Sequence, residues 1–359
     1  MNKRKILFLG ETNRADAITW MNGLKEFGDF EIVTWELKSS NNSFFKIKRI
    51  FEFFLSISAL KKLIKKEKPD MIIAERTTSY GFLAAISGVK PIAIAQQGIT
   101  DLWPIGSILI PFKRILQNYA IKKANIIHAW GEVIADTMLK SNFDMNKVLI
   151  LPKGINLEKF EFQNFSNENK IQAIITRSLT NDYRHEIILK AFFELQVKEI
   201  DFELTIVGDG IRLEILKKLA KELKIDSKVN FLGRINNDDL PNLLKTSNFY
   251  ISMPITEGVS ASLFEAMASG CYPIVTNIIG NQYWIKHREN GQLIDVDDYK
   301  TLANEIIWAF ANKEYRNCAI SENRIFIEKN IDYKKNMQII ANKYHELINN
   351  NQINNLCAE

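Results

Sequence analysis

The sequence predicts an α/β protein: two doubly wound, Rossmann-like domains, each with a parallel sheet, facing a central cleft. Three observations carry that prediction. Short β-branched runs alternate with longer helical patterns along all 359 residues. The runs are continuously apolar rather than alternating, as strands of a parallel sheet covered on both faces must be. They are also too many for one comfortable sheet.

In the first half the runs are Ile6–Leu9, Glu31–Thr34, Met71–Ala74, Ile92–Ala95, Ile126–Ala129 and Val148–Leu151. In the second half they are Ala173–Thr176, Leu204–Val207, Val229–Leu232, Phe249–Ser252, Pro273–Thr276 and Leu293–Ile294. The seam is expected at Pro152–Asn156 and the polar stretch Gln163–Lys170, which lacks an apolar period. That places one domain over residues 1–155 and the other over 156–332. Residues 333–348 read as a helix free to cross back to the first domain. Residues 349–359, polar and Asn-rich, read as a flexible tail. In sheets of this kind ligands bind beyond the carboxyl ends of the strands, so two facing sheets would hold a substrate between them.

Composition excludes several classes. With 46% hydrophobic and 25% charged residues the chain is neither collagen-like, disulfide-dense nor broadly disordered. No apolar run approaches the ~18 to 20 residues that span a bilayer. Met1 to Lys5 lead straight into Ile6–Leu9, too brief for a signal-peptide core, so the expected location is cytoplasmic. Cys271, Cys318 and Cys357 form no close pair and read as reduced thiols. A formal charge of +5, from 47 basic and 42 acidic side chains, is too mild to imply nucleic acid.

Two segments mix apolar and basic residues. Phe44 to Lys66 combines aromatics and aliphatics with many lysines and a single Glu52, and Ile105–Lys123 has the same character. As helices they either bury an apolar face with a solvated basic edge, or lie on an anionic membrane surface at the inner face of the plasma membrane.

The stretch from Glu257 to Gly270 carries the most chemistry. It follows the run ending at Ser252 and precedes Pro273–Thr276, so it reads as strand, small-residue loop and short helix closed by Gly270. Gly258, Val259, Ser260, Ala261 and Ser262 leave backbone amides bare at a helix start, where unpaired N–H groups and the helix dipole favour an anion. Glu257 precedes that start and Glu265 lies one turn in. Carboxylates beside a phosphate site are natural partners for sugar hydroxyls. Ser262-x-x-Glu265 also spells a capping box, which leaves a structural role open for Glu265.

In this context the chain resembles the retaining GT-B glycosyltransferases grouped as glycosyltransferase family 4. The resemblance covers most of the second half. It runs in order through Leu151–Phe160, Arg177-Ser178-Leu179, Ile206–Gly210, Phe231–Arg234, the Glu257/Glu265 pair, Gly280–Ile285 and Glu289–Ile294. It implies that Glu265 binds the ribose of a sugar nucleotide, that the 258–262 backbone cradles its diphosphate, and that Glu257 holds the hexose. Arg177 would neutralise the leaving diphosphate, a role suited to a fixed, always charged donor. Gly208, Gly210, Gly233, Arg234 and Ile235 would shape the floor under the diphosphate and base.

Departures from the family pattern are also visible. Where many relatives carry a Lys-Gly pair, this chain reads Tyr183-Arg184-His185, so either Arg184 supplies the second charge or Arg177 works alone. The loop after the first run holds a single glycine, Gly10. Where many relatives place a histidine, Gln96-Gln97-Gly98-Ile99-Thr100-Asp101 stands instead. By the resemblance Gln97 and Gly98 would lie on the acceptor side and Asp101 would orient the acceptor hydroxyl. Turn residues without a ligand are the alternative.

Asp295-Val296-Asp297-Asp298 has the spelling of a metal-binding pair, but it opens a helix and N-capping explains it better; Asp238-Asp239 reads the same way. The histidines are scattered, and no metal or other cofactor is expected. Gly208-Asp209-Gly210 lacks the third glycine of a nicotinamide site. The expected activity is transfer of a hexose from a nucleoside-diphosphate sugar to a hydroxyl acceptor, a glycan or lipid-linked acceptor in bacterial surface-polysaccharide synthesis. A sugar-nucleotide epimerase and a non-catalytic sugar-nucleotide-binding protein are the competing readings.

Overall fold

A computed structural model of the chain describes residues 3–37, 46–96, 110–139, 144–164 and 169–356. The chain divides into two compact units, Met1–Lys153 with Lys334–Glu359, and Gly154–Tyr333. Each is an α/β layer structure around one six-stranded parallel sheet.

The first unit runs β1 (Lys5–Leu9), α1 (Ala15–Gly28), β2 (Glu31–Trp35), α2 (Lys46–Glu67), β3 (Met71–Glu75), a π-helical turn at Arg76–Tyr80, and α3 (Gly81–Ile86). It continues with β4 (Ile92–Gln96), α4 (Ile110–Lys123), β5 (Ile126–Ala129), α5 (Glu132–Leu139) and β6 (Val148–Ile150). The strand order is β2-β1-β3-β4-β5-β6, so the order reverses between β1 and β3.

The second unit runs β7 (Ile171–Thr176), α6 (His185–Val197), β8 (Phe202–Val207), α7 (Leu213–Glu222), β9 (Val229–Gly233), α8 (Leu240–Lys245) and β10 (Phe249–Ser252). It then adds α9 (Ala261–Ser269), β11 (Tyr272–Thr276), α10 (Ile279–Gln282), β12 (Gln292–Ile294), α11 (Tyr299–Ala311) and α12 (Lys313–Asn330). The order β12-β11-β10-β7-β8-β9 is the Rossmann order, with its reversal between β7 and β10.

Continuous apolar runs make sense in this setting. In β7, Ala173 and Ile175 join one buried cluster while Ile174, between them, joins the cluster on the opposite face. The middle of β7 is thus covered on both faces, and an Ile174→Ala truncation should cost roughly 2–5 kcal/mol.

The last helix, α13 (Tyr333–Leu356), corrects the expected tail: it continues past Ile348 to Leu356 instead of fraying at Asn349. Its polar end has partners in the first unit, because Asn349 accepts a hydrogen bond from Arg4 and Asn351 donates to the Lys90 carbonyl at 3.1 Å. Further back His345 stacks on Phe30 at 4.2 Å and meets Arg4 at 2.9 Å, while Tyr344 is fully buried. The division between units falls after Lys153 rather than after 155. Gln163, expected in the linker, belongs to the second unit, where its amide donates to the Ser269 carbonyl at 3.1 Å.

Candidate active site

The carboxyl ends of β7 and β10, the two strands flanking the order reversal, carry the candidate side chains of the second unit. Arg177 is the first residue beyond β7, and Glu257 lies in the loop between β10 and α9. The fold therefore brings together residues 80 positions apart: an Arg177 Nη2 donates to Glu257 Oε2 and to Ser260 Oγ, with Nε 3.4 Å from Ser252 Oγ. Both partners of the ion pair are largely buried. The Tyr183 ring lies 5.1 Å from the guanidinium carbon. Burial opposes the charge of Arg177, yet Tyr250, Glu257 and Tyr183 outweigh it and hold the pKa above its ordinary value. The guanidinium is a permanent cation in a partly dry site.

Glycines build the loops that hold these groups. A Cβ on Gly208 would collide with the Arg177 carbonyl oxygen, and one on Gly210 with that of Leu179. Gly208 also sits at φ +145° and donates to the Gly233 carbonyl at 2.9 Å. These glycines act by letting the loop after β8 press against the loop after β7. Arg234 is exposed beyond β9, and Ile235 packs partly buried against the core cluster under α9.

The start of α9 differs from the capping box read in the sequence. The cap is Ser260, whose Oγ accepts from Leu263 N at 3.2 Å; Ser262 instead donates to the Thr176 carbonyl at 3.4 Å. Ser260 has the extended backbone of a cap, and its hydroxyl reaches both the helix and Arg177. First-turn amides of a helix have no intrahelical partner. Ser260 takes one of them, and Gly258, Val259 and Ala261 form the remaining backbone around the helix start. Glu265 lies in the second turn, half-buried. Gly270, at φ +90°, ends the helix in the left-handed conformation as expected.

Arg184 is not gathered to Arg177. It occupies a left-handed position (φ 47°) before α6, pairs through Nε with Asp297 at 3.0 Å, and donates to the Asn181 carbonyl at 3.1 Å. His185 beside it is buried, with neither ring nitrogen hydrogen-bonded among the described residues. Burial first, and the charge of Arg177 second, push its pKa down to about 4. Tyr183, Tyr250, His185 and Ser252 were not singled out by motif. The only signal for Tyr183 and His185 was their place in the segment that departs from the family pattern.

Of the other acidic pairs, Asp298 does cap α11, accepting from Thr301 N at 3.0 Å, while Asp295 accepts from Asn277. Asp239 makes no side-chain cap bond, and Asp238 pairs with Lys159, so the expected cap at α8 is absent. Among the described residues no group of three or more His, Cys, Asp or Glu is placed to hold a metal ion.

In the first unit Gly10 follows β1 beside the end of β3. The Glu75 carboxylate fills the space over its α-carbon and accepts from Glu11 N at 2.9 Å. Burial raises the Glu75 pKa. Gln97, Gly98 and Asp101 lie outside the described residues.

Comparison with known proteins bears on the fold and the family. The fold matches that of Anabaena Alr3699/HepE in complex with UDP, with a TM-score of 0.77 at 14% identity over 96% of this chain and 100% of that one. The architecture is therefore GT-B, two Rossmann-like domains as in glycosyltransferases. Residues 156–326 match the family described as glycosyl transferases group 1, and residues 5–129 match glycosyl transferase 4-like. The chain thus carries a glycosyl transferases group 1 domain and a glycosyl transferase 4-like domain. Its relatives include the Escherichia coli UDP-Gal:alpha-D-GlcNAc-diphosphoundecaprenol alpha-1,3-galactosyltransferase, 26% identical over 70% of this chain and 69% of that protein. Another is the Bacillus anthracis N-acetyl-alpha-D-glucosaminyl L-malate synthase, 33% identical over 36% of this chain and 34% of that protein.

Proposed function

We propose that this glycosyltransferase moves a hexose from a nucleoside-diphosphate sugar to a hydroxyl of a lipid-linked glycan, with retention of anomeric configuration. The observation that carries the reading is the convergence of Arg177, Glu257 and the Ser260-capped start of α9 at the reversal point of the second sheet. A diphosphate arriving there meets helix amides and a permanent cation, which stabilise the charge that develops as the glycosidic bond to phosphate breaks. Arg177 exchanges Glu257 for the diphosphate, and the freed Glu257 accepts from the hexose hydroxyls. Glu265 takes the ribose. Charge neutralisation is assigned to Arg177 and the helix start rather than to a metal ion. Activity abolished by a chelator and restored by magnesium would contradict that assignment.

The UDP complex of the Anabaena neighbour supports a sugar-nucleotide donor, and the undecaprenol-linked acceptor named for the Escherichia coli relative supports a lipid-linked one. An exposed apolar and basic surface supports the same acceptor class. In α4, Phe112, Ile115 and Tyr119 are exposed at helical spacing, with Arg114, Lys122 and Lys123 exposed beside them and no acidic residue on the helix. On α2, Leu55 is exposed and Lys61, Lys62, Lys65 and Lys66 face solvent. Among the described residues no helix is long and apolar enough to cross a membrane, so the proposed association is peripheral.

The test is a thermal-shift screen of sugar nucleotides on wild type and Glu265→Ala. A donor that binds the folded state alone raises its melting temperature, and the variant should lose much of that rise. No shift with any sugar nucleotide would reject the donor site. A modified sugar nucleotide released without any acceptor would favour an epimerase.

A further inference from the structure

The segment between β7 and α6 raises a question of charge. Arg177 is the guanidinium that the fold bonds to Ser260 at the start of α9. A diphosphate carries more negative charge than one cation balances. The obvious second cation, Arg184, is committed to Asp297 and to its own turn. The left-handed backbone at Arg184 carries the chain through a sharp bend into α6, and the residue that faces Arg177 is its neighbour, Tyr183.

We infer that Tyr183 is a diphosphate-binding and positioning residue: its ring holds the Arg177 guanidinium and its hydroxyl donates a hydrogen bond to the diphosphate. This rests on the donor-site reading above. The ring centroid is 5.1 Å from the Arg177 guanidinium carbon, within cation–π range. The buried His185 ring packs against Tyr183 in an edge-to-face arrangement, 6.2 Å between centroids, so the tyrosine is supported from the helix side. One hydrogen bond fastens the segment to the loop that carries Glu257: the Ile255 amide donates to the Asp182 carbonyl at 2.9 Å.

The phenol is only half-buried, and its hydroxyl has no hydrogen bond to any described residue. Burial raises its pKa, so it stays a neutral O–H donor throughout the neutral range. A neutral donor here also avoids placing a second cation against the buried Arg177. His185, uncharged at neutral pH, obeys the same constraint. In this chain a stacked phenol thus does the work of a second cation at the diphosphate.

The experiment is calorimetric titration of the full chain with UDP, GDP and ADP, and with the matching monophosphate of whichever diphosphate binds. Wild type is compared with Tyr183→Phe, Tyr183→Leu and Arg184→Ala. Tyr183→Phe keeps the ring and should weaken diphosphate binding about tenfold, as expected for a lost hydrogen bond to a charged acceptor, with monophosphate binding unchanged. Tyr183→Leu should weaken it further, and Arg184→Ala should leave it unaltered. Tyr183→Phe binding the diphosphate as wild type does, or losing mono- and diphosphate equally, would overturn the inference while leaving the donor site intact. Loss of binding in Arg184→Ala instead would also overturn it. Failure of wild type to bind any of the diphosphates would reject the donor site itself.

Discussion

Gly280 rests against the backbone of Glu257 so closely that a Cβ at position 280 would overlap the Glu257 carbonyl oxygen. The glycine is the second residue of α10, and the glutamate belongs to the loop before α9. The helix start and the loop can touch only because one residue has no side chain. Gly280→Ala should therefore destabilise the second unit by roughly 1–3 kcal/mol, the usual cost of overpacking. It should also displace Glu257, lowering turnover more than the stability loss explains. Denaturant unfolding paired with initial rates checks both, and a fully active Gly280→Ala enzyme would refute the argument.

Arg177 and Glu257 neutralise each other when no donor is present. Arg177→Ala should reduce kcat by about 10²–10³, the range seen when one charge-stabilising donor is removed. It also leaves Glu257 largely buried without its cation, so a lowered melting temperature should accompany the kinetic loss. Glu257→Gln keeps the shape and should cost mainly activity. Equal rates for the wild type and Arg177→Ala would remove the basis of the proposed chemistry.

The two serines at the start of α9 have separable roles. Ser260→Ala removes the helix cap and a partner of Arg177, and should cost about 1 kcal/mol of stability. Ser262→Ala loses one long bond to a carbonyl and should change stability by a few tenths at most. The opposite ranking in chemical denaturation would place the cap at Ser262.

Two buried histidines set an acid limit. Burial pushes His128 down to about 4 against the hydrogen bond its Nε2 donates to the Leu151 carbonyl, and His185 reaches about 4 by burial and the charge of Arg177. Unfolded, each takes a proton near pH 6.5. Their contribution to stability is therefore complete above about pH 6.5 and is lost as pH falls toward 4. It amounts to roughly 3 kcal/mol per histidine. Unfolding free energies measured across that window should decline with pH, and less steeply for His185→Asn than for wild type. Parallel declines would remove His185 from the account.

The exposed stripe on α4 should bind anionic bilayers. Wild type is expected to sediment with vesicles containing acidic phospholipid at low salt and to be released as salt screens the attraction. Replacing Phe112, Ile115 and Tyr119 with serine should reduce that binding without affecting sugar-nucleotide affinity. Indifference of wild type to such vesicles, with transfer only to water-soluble acceptors, would discard the peripheral assignment.

Much of this protein follows from its sequence alone. Strands covered on both faces leave continuous apolar runs, so all the strands of both sheets were readable, as was the helix stop at Gly270. Short-range patterns of this kind are local consequences of backbone geometry and burial. The helix from Tyr333 was readable too, but not its end, because Asn349 and Asn351 are held by Arg4 and by the Lys90 carbonyl, far away along the chain. The motif around Glu257 and Glu265 marked out the loop and helix start that the fold sets beside Arg177. Which serine caps it, which residue faces Arg177, and where Arg184 goes were decided only in three dimensions. Ser262 bonds Thr176 and Arg184 pairs with Asp297, each far away along the chain, while Tyr183 reaches Arg177 across the turn between β7 and α6. The physical reason is competition: a side chain such as Arg184 or Ser262 has several partners in reach, and only the packed fold determines which lies at bonding distance.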